Sequence, residues 1–320
     1  MRRHTGFLQA LAAAAGLALF LAAGPVTAAN GASGATVHKD IVLRGDAKCT
    51  RCHDEGDDYP VLSIAQTPHG VKADARTPTC TSCHGESDAH VNNPGGSDVR
   101  PLPDVLFRGK HKSVADVENK QCLNCHESGG RTFWEGGRHQ TEGLACTNCH
   151  TIHKPNDKVR SKATQPEVCF SCHKEQRADA HKFSHHPMLE GKVVCSDCHN
   201  PHGGPGPDNL VKNTVNEVCF QCHAEKRGPF LNEHPPVVDD CLNCHTPHGS
   251  NNQPLLKAKA PWLCQDCHAE SAPHPGNVYS AIMLPGGRVA SPAQLPFRGC
   301  VNCHSQIHGS NTPGGNSFLR

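Results

Sequence analysis

The residues able to do chemistry in this chain are twenty cysteines and twenty-five histidines among 320 residues. Every cysteine lies in a C-x-x-C-H motif, and none is left over. In chain order the motifs are Cys49-Cys52-His53, Cys80-Cys83-His84, Cys122-Cys125-His126, Cys146-Cys149-His150, Cys169-Cys172-His173, Cys195-Cys198-His199, Cys219-Cys222-His223, Cys241-Cys244-His245, Cys264-Cys267-His268 and Cys300-Cys303-His304. Two thiols separated by two residues can add to the two vinyl groups on one edge of a porphyrin. The adjacent histidine then lies beneath the iron as its proximal ligand. Zinc and iron–sulfur sites also use paired cysteines, but neither requires a histidine directly after the second one. Disulfides require no histidine at all. The pattern therefore predicts ten covalently bound c-type haems.

Each iron then needs a sixth ligand. Apart from the initiator, only Met188 and Met283 are methionines, so the irons must be almost entirely His/His. Taking the motifs in consecutive pairs, one histidine lies between the two members: His69, His139, His185, His234 and His274. Another follows the second member: His90, His153, His202, His248 and His308. His185 is preferred over His186 because His185-His186-Pro187-Met188 aligns with His234-Pro235-Pro236-Val237. His38, His111, His181 and His186 are then surplus, although His38, His69 and His111 each stand eleven residues before the first cysteine of a motif. Two imidazoles lower the reduction potential relative to Met/His and close both axial positions, which favours electron transfer over substrate chemistry.

The elements that must position these groups are short. Helices are predicted over Asp116 to His126, Gln165 to Glu175, Val215 to Glu225 and Pro261 to Glu270, with Pro166 and Pro261 suited to first turns. Loops rich in Gly, Pro and Asn fill the remainder, as at Asn200 to Asn209 and Pro285 to Pro296, and strand signals are almost absent. The chain also repeats itself: Val168 to Glu175 matches Val218 to Glu225 at a period of 50 residues, and Cys195 to Gly203 matches Cys241 to Gly249 at a period of 46. From Cys122 to Cys264, successive motifs start 22 to 26 residues apart. With 4% aromatic residues, 30 Gly and 25 Pro, ordinary apolar cores are out of reach, so the porphyrins must serve as the core. The expected fold is a multihaem cytochrome c: irregular loops and short α-helices wrapped around ten haems, almost without β-structure, and elongated.

The first residues predict export. Arg2 and Arg3 precede an apolar run from Phe7 to Ala23, and small residues around Ala28 supply a cleavage site, so 1–28 reads as a signal peptide. Without Arg2 and Arg3, 29 basic residues balance 30 acidic ones, and twenty haem propionates would make the loaded protein acidic. No basic block occurs, which argues against nucleic acid as a partner. A globule of ~290 residues would be ~50 Å across, comparable with a bilayer of ~40–45 Å including headgroups. The chain has no apolar belt, so crossing a membrane would need a polar-lumen β-barrel as a sheath.

The ten motifs, the leader and the length resemble the MtrA/DmsE/PioA family of decahaem cytochromes. So do Cys49-Thr50-Arg51-Cys52-His53-Asp54, Cys80 to His90, Cys300-Val301-Asn302-Cys303-His304, Ile307 to Asn311 and Phe318-Leu319-Arg320. The N-terminal extension of the PioA type is missing, which favours the MtrA/DmsE or MtoA type. The resemblance implies two pentahaem modules, placed here at 29–184 and 185–320, and residence inside an outer-membrane β-barrel porin. It further implies exchange of electrons with periplasmic or inner-membrane cytochromes on one side, and with an extracellular multihaem cytochrome or terminal reductase or oxidant on the other. Metal or dimethyl sulfoxide respiration and Fe(II) oxidation are the processes implied. A multihaem reductase is the alternative enzyme, but it needs an open iron, often from C-x-x-C-K, which does not occur here. A freely diffusing periplasmic carrier is the third reading.

Overall fold

The computed structural model describes residues 46–71, 76–268, 300–302, 304–313 and 315–318, together with the backbone of 282–284 and 288–290. These residues belong to one unit spanning Val37–Arg320. The expected leader at 1–28 lies outside the described residues, as do His38, His274 and Cys303.

Each motif closes a single helical turn. In nine of them the backbone N–H of the histidine donates to the carbonyl of the first cysteine at 2.9–3.1 Å, and the remaining one is the helix Cys80–His84. Residues three and four apart share a helix face, so the turn presents both sulfurs and the imidazole to the same side.

Helices lead into the motifs where the sequence predicts them, but they end early. They span Ala115–Leu123, Gln165–Phe170, Val215–Cys219 and Trp262–Gln265. Each stops three or four residues before the motif histidine. His173 adopts ψ 73° and His223 ψ 48°, so the chain leaves the helical path there. Beyond His173 a separate helix, Lys174–Ala180, resumes. The starts follow local chemistry. Pro166 occupies the first turn of its helix. Thr214 and Glu217 form a reciprocal capping box, with N–H to side-chain oxygen distances of 3.2 Å in both directions.

The sequence repeat appears as a folded repeat. After motifs six and eight the chain turns back antiparallel, so that His199 bridges Leu210 and His245 bridges Leu256. Val211 N–H donates to Cys198, and Lys257 N–H donates to Cys244 in the equivalent position. Among the described residues the strands are Ile282–Leu284 and Arg288–Ala290, paired antiparallel with Met283 opposite Val289. Contacts run across the expected boundary at 184/185. Ser184 and Ser250 exchange both backbone hydrogen bonds, and the Asn200 amide donates to the Gly130 carbonyl at 2.6 Å.

The protein's own apolar core is small. Phe170, Ala180 and Met188 form a buried cluster with Val193 against it. Instead, a continuous cavity of about 4090 Å³ extends from Tyr59 to His308. Ordinary ligand pockets hold about 300–1,000 Å³, so this space suits a row of ring-sized groups.

Candidate metal centres

Nine of the ten motif histidines face a second imidazole. In chain order the pairs are His53–His90 at 6.2 Å between ring centres, His84–His153 at 6.3 Å, His126–His69 at 5.9 Å and His150–His202 at 6.0 Å. His173–His139 stand 6.1 Å apart, His199–His248 6.0 Å, His223–His186 6.4 Å, His245–His308 6.2 Å and His268–His234 6.1 Å.

This separation fits an axially ligated haem iron. A metal–imidazole bond is about 2.0–2.1 Å and the nitrogen lies about 1.1 Å from its ring centre, so two trans imidazoles hold their centres about 6.2–6.4 Å apart. Direct ring stacking would bring them closer. With two cysteines beside one member of each pair, the donor set is that of a c-type haem.

The other ring nitrogens fix the tautomer. Nδ1 donates to a backbone carbonyl in His84 (Val105, 3.0 Å), His90 (Pro101, 2.8 Å), His139 (Pro201, 2.7 Å) and His153 (Val61, 2.9 Å). The same holds for His186 (Pro247, 2.7 Å), His199 (Asp208, 2.9 Å), His245 (Pro254, 3.0 Å) and His304 (Ser317, 2.6 Å). A carbonyl can only accept, so Nδ1 carries the proton and the Nε2 lone pair is free for iron. His53 and His150 donate instead to carboxylates, those of Asp57 and Asp157. Burial lowers the pKa of His69, His84, His153, His202, His248 and His308 from the ordinary histidine value, which favours the neutral form a metal needs.

The partners interleave along the chain. The histidine trailing an even motif serves the even motif before it: His153 faces motif two, His202 motif four, His248 motif six and His308 motif eight. The histidine leading an even motif serves the odd motif after it: His69 faces motif three, His139 motif five, His186 motif seven and His234 motif nine. His90 closes the series on motif one. Glycine makes the close crossings possible. A Cβ at Gly203, next to His202, would lie 2.1 Å from the Phe133 carbonyl, and one at Gly249, next to His248, 1.8 Å from the Asp179 carbonyl.

One expected ligand is displaced by a residue. His186, rather than His185, faces His223. His185 donates from Nδ1 to the Lys182 carbonyl and lies 3.5 Å from Glu190. The bridges explain the shift. Ser184 pairs with Ser250 just as Asn232 pairs with Ser310, and in each case the histidine two positions on, His186 or His234, is the one that faces a motif histidine. The sequence carries this signal in the shared dipeptides His186-Pro187 and His234-Pro235. His274 and Cys303 lie outside the described residues, and none of the nine pairs includes His111 or His181.

The attachment points follow one another in chain order. First-cysteine thiols interact between motifs one and two (Cys49 and Cys80), three and four (Cys122 and Cys146), five and six (Cys169 and Cys195), seven and eight (Cys219 and Cys241), and nine and ten (Cys264 and Cys300). Second-cysteine thiols are electrostatic neighbours across the intervening steps: Cys83 and Cys125, Cys149 and Cys172, Cys198 and Cys222, Cys244 and Cys267. Every motif thus adjoins the next.

Paired imidazoles beside C-x-x-C-H turns, repeated along an apolar cavity, define a multihaem c-type cytochrome, an electron-transfer protein with covalently attached haems. Residues 185–228 and 234–273 match the doubled CXXCH motif family, and residues 80–165 match the cytochrome c-type protein NrfB-like family. Over 281 residues, 87% of this chain and 82% of the relative, the sequence is 41% identical to multiheme cytochrome MtrA of Shewanella baltica (strain OS185). Over 124 residues, 34% of this chain and 52% of the relative, it is 32% identical to cytochrome c-type protein NrfB of Haemophilus influenzae. The chain belongs to the MtrA family of multihaem cytochromes.

Proposed function

We propose that this protein carries electrons between the periplasm and the cell surface along ten haems in sequence order, held inside an outer-membrane β-barrel porin. The observation carrying this reading is the unbroken succession of motifs, each next to the one before, with paired imidazoles at nine of them. Each haem, when bound, supplies an iron that alternates between ferric and ferrous. The chain's residues do the rest. The cysteines of each motif would attach a haem, the paired imidazoles would ligate its iron, and the backbone carbonyls that accept from Nδ1 hold the imidazoles in place for this. His274, the histidine between motifs nine and ten in the sequence, would be the partner of His304 and complete ten His/His centres. Haems held between two imidazoles would offer no open iron to a substrate, which supports a conduit over an enzyme.

The leader at 1–28 exports the chain, and the oxidising, haem-attaching compartment beyond the inner membrane completes it. Among the described residues no helix is long and apolar enough to cross a membrane. Purification from outer membranes tests the placement: a stoichiometric β-barrel protein is expected to accompany the chain. Liposomes carrying that pair should pass electrons from an external donor to an enclosed acceptor. Release of the chain alone into the periplasmic fraction would leave a freely diffusing carrier as the answer.

A further inference from the structure

Motifs four, six and eight share one local design, C-x-x-C-H-x-x-H, and their histidine pairs are all closer to parallel than perpendicular, at 10°, 29° and 11°. Their Nδ1 partners differ. His199 and His245 each donate to a backbone carbonyl nine residues on, at Asp208 and Pro254. His150 donates to a side-chain carboxylate seven residues on, Asp157 Oδ2, at 2.6 Å. The folded repeat therefore contains its own controls.

The carboxylate is held for this contact. Asp157 is 15% exposed and His150 28%. The second oxygen, Oδ1, accepts the Thr151 N–H at 3.3 Å. Lys158 and Arg160 follow Asp157 closely, yet no ion pair joins either to it among the described residues. A second carboxylate serves the same motif: Glu118, 1% exposed, accepts the Thr147 hydroxyl at 2.7 Å, although Lys112 offsets its charge from 3.4 Å. At motif one the His53–Asp57 contact is looser, 3.1 Å, with side chains 47% and 32% exposed, so water weakens its effect.

A carboxylate on Nδ1 makes an imidazole a stronger donor to its metal. It also adds negative charge, which favours the ferric state over the ferrous state, one positive charge poorer. Resting on the ligand assignments above, we propose that Asp157 acts through His150 as a positioning residue that lowers the potential of the fourth haem below those of the sixth and eighth.

The test is spectropotentiometry of the isolated holoprotein, with redox-poised EPR to follow the near-parallel centres. Asp157→Asn keeps the size and an acceptor oxygen but removes the charge. One haem in ten should then shift toward the ferrous state by about tenfold at fixed potential, about 59 mV upward. Asp157→Glu should restore most of the original value, and Asp57→Asn should shift its haem less. A titration of Asp157→Asn that superimposes on the wild type overturns the proposal. So does loss of the haem or a high-spin signal, which would make Asp157 a structural anchor. Failure of the ligand assignments would show separately, as a haem count other than ten or high-spin iron in the wild type. Barrel and cell-surface partners play no part in the measurement.

Discussion

Gly249 follows His248, whose ring faces His199 at 6.0 Å. A Cβ at Gly249 would lie 1.8 Å from the Asp179 carbonyl oxygen and 2.6 Å from its carbon, both backbone atoms of Lys174–Ala180. Ordinary contact begins near 3.4 Å, so Gly249→Ala forces the loop to withdraw by about 1.6 Å. Metal–ligand distances tolerate only about 0.2 Å, and the displacement exceeds this several-fold. The distal imidazole of one haem should therefore detach while His199 remains attached. Low-temperature EPR of the oxidised variant should show high-spin ferric haem at one centre per molecule, and the reduced variant should bind one carbon monoxide. Gly95→Ala is the control, because no atom lies within 4 Å of its Cβ position. A Gly249→Ala protein that stays wholly low-spin and ignores carbon monoxide would refute both the pairing of His248 with His199 and the steric argument.

His186→Ala should likewise open one centre to carbon monoxide, whereas His185→Ala should leave the spectrum low-spin; equal effects would dissolve the distinction between them. The wild-type EPR spectrum should contain two ligand-orientation classes. Three pairs lie at 69–75° and five at 10–29°, so a single uniform signal would contradict the ring geometry. Acid should loosen the protein in a defined direction. Burial lowers the folded-state pKa of His84 and His153 below the unfolded value of about 6.5, so unfolded chains bind the extra protons. That contribution to stability is complete above pH ~6.5 and is lost as the pH falls below it. Low-spin absorbance should hold from pH 8 to ~6.5 and fall only at more acid pH, and a midpoint above 7 would show the sign to be wrong. Replacing Cys122 and Cys125 together by Ser should remove one haem from the mass of the mature chain and reduce the yield of folded protein, since ring attachment and folding are coupled.

Attachment chemistry was legible from residue order because it is local. A cysteine, the cysteine three positions on and the histidine beside it occupy one helical turn, and that turn forms wherever the motif occurs. The supply of axial ligands was equally legible, because a chain with so few methionines and so many histidines has one solution. Even the exchange of His185 for His186 had a local sign, the His-Pro dipeptide shared with His234. The helices were foreseen in place but not in extent: they stop within the motif, three or four residues before its histidine, and at His173 and His223 the backbone leaves the helical path.

Pairing was decided by the tertiary structure alone. His139 is locked by the Pro201 carbonyl, 62 residues away, and it faces His173 instead of the motif it precedes. His202, His248 and His308 each reach back to an earlier motif through the packing of a His-Gly corner. Spacing along the chain limits how far a loop can extend, but many partners lie within that reach. Backbone bridges such as Ser184 with Ser250, and glycines set against a neighbouring carbonyl, select one partner for each ring. That selection gives each paired motif histidine one partner, so the sequence supplied the donors and three-dimensional packing decided which of them meet.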